Sequence, residues 1–319
     1  MNRLADVMIR NVVVLLFLLL PSEVVAQSGS VTGGLFTPWG TPDFRGVWVN
    51  STLTPLERQP ELGDKEFYTE AELEELQSTA FQRWRTTPDI ERQLAVESSP
   101  VWLEPGPLSR RTSLITGLSG RIPPLTPDGE RRKIENGGVI GTRFLTERVG
   151  SHEDRPWSER CLVFETGGPP MMAFPIAAYH QIFQTPGHVV FLHEENHDVR
   201  IVPLERRPHV NPDIRLWRGD SRGYWDGNTL VIETTNFNGK GGFSGSGSNL
   251  LLTERLTLAD DETLLYEFTV LDPETWTEPW TVEMPLWASS NQLYEHACHE
   301  GNYSLPLVLS GARAQEQKR

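Results

Sequence analysis

The chain has 319 residues and a formal net charge of −14 at pH 7, with no basic run. That balance excludes an ordinary nucleic-acid or anionic-membrane binder. Its two cysteines, Cys161 and Cys298, form no CxxC pair, which excludes a dithiol redox motif or a zinc knuckle.

Residues 1–26 read as a cleavable secretory signal. Arg3 and Arg10 lead into nine consecutive apolar residues, Val12 to Leu20, and Val24-Val25-Ala26 offers small residues for cleavage after Ala26. A run of nine is about half of what a spanning helix needs, and no later stretch approaches that length, so no integral membrane segment is expected after cleavage. The segment carries two arginines and two acids (Asp6 and Glu23), so its loss leaves the charge at −14. Export to the periplasm or the medium permits a Cys161–Cys298 disulfide. That bridge would close a loop of more than 130 residues, worth roughly 4–5 kcal/mol at best in chain-entropy terms.

Residues 27–42 are rich in Gly, Ser and Pro and read as a linker. A short apolar strand follows at Phe44 to Val49. Thr69 with Glu72 forms a capping box, and Ala71, Leu73, Leu76, Ala80 and Phe81 recur at helical spacing. Residues 86–135 carry many prolines and arginines, and predict loop with short helical turns; 43–137 is thus a strand, a helix and a wrapping region packed outside the rest. From 138 to 313 short β-rich runs follow one another, at 138–145, 179–184, 188–194, 198–204, 213–218, 228–235, 249–258, 262–271 and 276–284. Asp226-Gly227-Asn228 and Asp260-Asp261 mark hairpin turns. Regular short strands without helices between them predict a mainly β fold, an antiparallel β-barrel or strongly curved meander sheet. Residues 314–319 read as a disordered tail.

His193-Glu194-Glu195-Asn196-His197 matches HExxH, whose chemistry needs a helix to bring both histidines to one metal. Here β-branched and aromatic residues flank it, so the segment reads as a hairpin tip; no metal and no cofactor is expected. Gly-rich 239–248 follows a strand and reads as a flexible surface loop or a lid.

Three polar clusters stand out. Leu250, Leu252, Glu254, Leu256 and Leu258 share one strand face, which sets Glu254 in an apolar row. A buried carboxylate must be paired or protonated. Glu254 is therefore either a salt-bridge partner of Arg200 or an acid with a raised pKa. His197, Asp198 and Arg200 form the second cluster, in which a carboxylate could prepare a histidine base. The third is His296 to Tyr303, with His299 and Glu300 beside Cys298. Trp217, Trp225, Trp276, Trp280 and Trp287 supply packing, or aromatic walls for a sugar or a flat apolar ligand.

The runs Gly120-Arg121-Ile122-Pro123-Pro124-Leu125-Thr126-Pro127, His197-Asp198-Val199-Arg200, Trp217-x-Gly219-Asp220-Ser221-x-Gly223-x-Trp225, Thr229 to Phe237, and Ala297-Cys298-His299-Glu300-Gly301-Asn302-Tyr303 resemble an uncharacterised family of secreted bacterial proteins. That resemblance spans about residues 41–316 and implies one fold unit without an activity. Gly46-x-Trp48 ahead of a meander also resembles the opening of lipocalin-like (calycin) barrels, which implies a ligand cavity at the level of the fold.

Three functions fit these residues. One is an exported enzyme acting on a small apolar or carbohydrate-like substrate by metal-free acid-base chemistry, as a lyase, isomerase or hydrolase. His197 would be the base, Asp198 its orienter, Arg200 an anion clamp, and Glu254 or His299 the acid. Trp217, Trp225, Asn236, Glu300 and Tyr303 would hold the substrate. The others are a non-catalytic small-ligand carrier, with Arg200 and Glu254 as a buried pair, and a structural envelope protein. A small molecule is the expected partner, nucleic acid is not, and the pattern specifies no oligomeric state.

Overall fold

Period-two alternation of buried and exposed side chains decides the architecture. In β8 (Thr263–Leu271), Leu264, Tyr266, Phe268 and Val270 are buried while their neighbours face outward. β7 (Leu251–Leu258) sends Leu252, Glu254 and Leu256 to the same interior. The computed structural model describes residues 35–318 apart from 86–103, 105, 118, 136–148, 156, 158, 165, 206 and 241–244. The signal segment, the first half of the linker (27–34) and the strand expected at 138–145 lie outside the described residues.

Nine antiparallel strands form one sheet in the order β4-β3-β2-β1-β9-β8-β7-β6-β5. The others are β1 (Gly46–Val49), β2 (Tyr179–Thr185), β3 (His188–His193), β4 (Val199–Pro203), β5 (Asp220–Asp226), β6 (Thr229–Thr235) and β9 (Trp280–Ser289). Every neighbour is sequential except β1 with β9, so the sheet is a strongly curved meander that is not closed into a barrel. Strand parity gives the reason. Eight antiparallel junctions among nine strands leave β4 and β5 pointing the same way, and a parallel junction cannot be made by a tight hairpin. The chain instead crosses through 204–219. At the seam side chains meet: a Cβ added at Gly223 of β5 would lie 2.9 Å from Val202 Cγ1 of β4.

Both expected hairpin turns form, with Gly227 at φ 59° and Ala259 N–H donating to Thr263 O at 2.9 Å. The expected strand at 213–218 does not: Leu216 makes only an isolated parallel bridge to Phe237. The crossover is shaped by Asn236 (φ 61°), whose Nδ2 donates to Asn211 O at 3.1 Å and Ile214 O at 3.0 Å. β5 takes the strand's place, in a run whose glycine and polar residues hide its alternation.

Three α-helices occur among the described residues. α1 (Glu70–Arg85) starts at the expected capping box, Thr69 N–H donating to Glu72 Oε2 at 2.8 Å and Glu72 N–H to Thr69 Oγ1 at 3.3 Å. α2 is Pro127–Glu135. α3 (Ser304–Glu316) replaces the start of the expected disordered tail. No helix among the described residues is long and apolar enough to cross a membrane. The disulfide Cys161–Cys298 is formed.

Of the Gly-rich loop, 241–244 lies outside the described residues. The rest is anchored: Ser246 is fully buried, and Gly247 N–H donates to Asp272 Oδ2 at 2.8 Å.

Candidate functional site

Seven consecutive strands, β2 to β8, each send a polar side chain into the otherwise apolar interior. These are His180, His193, Arg200, Ser221, Thr234, Glu254 and Tyr266, all at most 7% exposed. They fall into two groups with different hydrogen-bond status.

The first group is saturated. Arg200 Nη1 donates to Glu254 Oε1 at 2.9 Å, Nε to Ser221 Oγ at 3.0 Å and Nη2 to Thr234 Oγ1 at 2.9 Å; Nη2 also meets Glu254 Oε2. Tyr266 Oη donates to Glu254 Oε1 at 2.7 Å and accepts from Met171 N–H at 3.1 Å. Burial works against the Arg200 charge, yet the facing Glu254 carboxylate leaves its pKa raised. Burial, reinforced by that carboxylate, holds the Tyr266 hydroxyl well above its usual range. A network this complete positions strands rather than reacting groups.

The second group is not saturated. His180 and His193 stand opposite each other on β2 and β3, with Nδ1 atoms 2.8 Å apart. One of the two must donate, so the pair shares a single Nδ1 proton. Neither Nε2 finds a hydrogen-bond partner among the described residues, and the same holds for Asn50 Oδ1 and Thr166 Oγ1. Burial, and then Arg218, depresses His180 to about 3. Burial, His180, Arg218 and Arg200 hold His193 well below its usual value. Both rings are neutral at ordinary pH.

A closing segment packs against Asn50, Arg218 and His193. Residues 166–172 are buried throughout, as a loop can be only when side chains take its backbone groups. Asn50 Nδ2 donates to Met172 O at 3.0 Å and to Thr166 O at 3.5 Å, and Gly168 O accepts from Arg218 Nη1. A Cβ at Gly167 would sit 3.3 Å from Arg218 Nη1 and 3.5 Å from His193 Cγ, so glycine lets the backbone approach both. Arg218 reaches outward to Asp198 Oδ2 at 2.5 Å. Burial lowers its pKa, with Asp198 opposing the change.

The residues expected to form the site divide accordingly. Arg200 and Glu254 meet as the buried ion pair that was one of the two readings of Glu254. Asp198 engages Arg218 rather than His197. His197 sits on the β3–β4 turn with φ 47°, its Nδ1 3.8 Å from Glu295 Oε2, and both His197 and His299 are exposed. Those two histidines and the Arg200–Glu254 pair therefore do not line one interior site. Carboxylate-held histidines occur elsewhere: His296 Nδ1 is 3.0 Å from Glu195 Oε1, and His209 Nδ1 is 2.9 Å from Asp220 Oδ2.

Trp225 packs its ring on Phe44 at the far end of β5 from Ser221, with centroids 5.3 Å apart. Asn236 is committed to backbone carbonyls. Trp217 and Tyr303 are 38% and 72% exposed, and Glu300 is also exposed. The HExxH residues form a hairpin tip, with His193 inside and His197 outside. No group of three or more His, Cys, Asp or Glu among the described residues could hold a metal ion.

His180, Asn50, Thr166, Arg218 and Tyr266 carry no motif. Parity had a signal for one of them, Tyr266, which alternates with Leu264 and Phe268 on β8. No family model, curated protein or solved structure matches the chain.

Proposed function

We propose that this is an exported protein that binds a small, neutral, hydroxyl-bearing molecule, carbohydrate-like in chemistry, beneath the 166–172 segment. The observation that carries this reading is that four buried polar atoms have no partner among the described residues. They are Thr166 Oγ1 on the segment, Asn50 Oδ1 on the side chain that holds it, and the Nε2 atoms of His180 and His193, the pair against which Gly167 packs. Left unmet, each would cost about 1–3 kcal/mol, too much to sum against a net stability of roughly 5–15 kcal/mol. Their chemistry favours hydroxyls. One Nε2 is a donor and the other an acceptor, Asn50 Oδ1 accepts, and Thr166 does either.

Neutrality follows from the surroundings. Glu254 and Asp198 already hold Arg200 and Arg218, the two guanidiniums beside the histidine pair among the described residues, so neither is left to meet a carboxylate ligand. The formed disulfide fits an exported chain.

A calorimetric and thermal-shift panel tests the reading, with D-glucose, D-galactose and myo-inositol set against acetate and benzoate. Binding of a neutral member, lost in His193→Phe, is expected. Binding of the carboxylates alone, or of nothing (water alone meeting the four atoms), contradicts it.

A further inference from the structure

The two imidazoles do more than present unpartnered nitrogens. Their arrangement has three properties at once: Nδ1 faces Nδ1 at 2.8 Å, both rings are fully buried, and each Nε2 is left without a partner among the described residues. If His180 carries the shared Nδ1 proton, its Nε2 is a bare lone pair, and His193, accepting at Nδ1, carries its own proton on Nε2. Moving three protons one step each reverses every role without creating a charge. The arrangement is symmetric in kind, so either histidine can start.

We propose that His180 and His193 form a charge-neutral two-imidazole proton relay, acting on a substrate that exchanges a proton between two of its own oxygens. The proposal rests on the ligand reading above and adds a reaction to it. A hemiacetal is the simplest such substrate. Its anomeric O–H gives its proton to the bare Nε2 of the first ring. That ring's Nδ1 proton crosses to Nδ1 of the second, and the second ring's Nε2 proton passes to the hemiacetal ring oxygen. The C–O ring bond breaks as the carbonyl forms, its electron pair staying on the protonated oxygen. Reclosure on the other carbonyl face returns both protons by the same path. Nothing is oxidised or reduced, and no co-reactant is consumed.

Burial makes this route better suited than a single general base. A lone imidazole taking a proton here would become an imidazolium beside the Arg218 and Arg200 guanidiniums, in a site that already disfavours that charge. A relay in which one proton enters as another leaves never forms it. Phe191, stacked on His193 with centroids 6.3 Å apart, and the glycine backbone at 167 hold the second ring in place. The surrounding charged groups are each engaged: Arg200 by Glu254, Arg218 by Asp198, and Glu195 by His296.

The test uses the full-length protein with 15N-labelled histidine, and α-D-glucose as the probe. Expected are a through-hydrogen-bond coupling between the two Nδ1 nuclei, neutral rings from roughly pH 5 to 8, and opposite Nε2 protonation that exchanges between the rings. Conversion of α- to β-glucose, followed by polarimetry, should be accelerated and return to the buffer rate in both His180→Phe and His193→Phe. Circular dichroism should show both variants folded; if His180→Phe does not fold, His180→Gln replaces it. Absence of the coupling, a locked tautomer, or acceleration that survives both substitutions overturns the relay. Glucose that binds calorimetrically but is not interconverted also overturns the relay and leaves the binding reading standing. Coupling with exchanging tautomers, but no sugar bound, sinks the binding reading and the reaction with it.

Discussion

Arg200 on β4 and Glu254 on β7 form an ion pair across the sheet's one open junction, joining strands that are three apart around the curve. Their partners Ser221 and Thr234 lie on the two strands between, so one guanidinium ties β4 to β5, β6 and β7 where no backbone ladder joins β4 to β5. Removing one partner leaves a buried charge uncompensated, which typically costs about 3–5 kcal/mol. Arg200→Met and Glu254→Gln should each lower the unfolding free energy by about that much in denaturant titrations. The double variant Arg200→Met/Glu254→Leu should lose less than either single change. Additive losses would show that the two side chains act independently.

Tyr266 links that network to the closing segment by accepting from Met171 N–H. Tyr266→Phe leaves this amide unpaired in a buried position, a loss of about 1–3 kcal/mol. Hydrogen exchange at Met171 should quicken more than exchange at β9 amides. Equal quickening everywhere would mean that the hydroxyl supports the whole sheet rather than the segment.

The histidine pair makes stability depend on pH with a definite sign. A histidine whose folded pKa lies below its unfolded value of about 6.5 leaves the extra proton to the unfolded chain. His180, at about 3 when folded, therefore contributes its full stabilisation above about pH 6.5, and the contribution is lost as pH falls toward about 3. His193 adds in the same direction. His180 should remove about 2 kcal/mol by pH 5, since one proton is worth about 1.4 kcal/mol per pH unit. Denaturant midpoints between about pH 6.5 and 5 should fall steeply in the native protein and much less in His180→Gln/His193→Gln. Parallel slopes would show that other groups carry the effect.

The disulfide joins Cys161, just before the closing segment, to Cys298 near the C-terminal helix. Cys161→Ser/Cys298→Ser should lose about 2–5 kcal/mol and expose the Met171 and Met172 amides to faster exchange. A stability loss without that local exposure would mean that the bridge restrains only the unfolded chain.

Much of the sheet was legible because alternation with turn residues is local information. β7 and β8 fell where Leu251–Leu258 and Thr263–Leu271 alternate, and β6 on the apolar run Leu230-Val231-Ile232 after a turn. β5 was hidden by Asp220, Ser221 and Gly223: Ser221 and Gly223 point inward and are polar or empty because they face Arg200 and the β4 side chains, while Asp220 holds His209 and Arg222. Glu254 was legible as an inward carboxylate, since its row contains nothing else polar. His180 was not, because Gln181 and Gln184 make β2 look polar on both faces. Thr166 and Asn50 could not have been found from periodicity: they owe their positions to a loop crossing the sheet's end, a contact between residues more than a hundred apart in sequence. His197 and His299 misled because nearness in sequence to Asp198 or Cys298 does not fix where a side chain points.

The measurement that bears most directly on the central claim is the 15N chemical shift of the His180 and His193 Nε2 atoms as D-glucose or myo-inositol is added. Binding beneath the 166–172 segment predicts saturable shifts at both Nε2 atoms, with the rings staying neutral and His197 and His299 unmoved. Shifts confined to the exposed His197, His296 or His299, with His180 and His193 unchanged at saturation, would place the ligand on the outside and contradict the account.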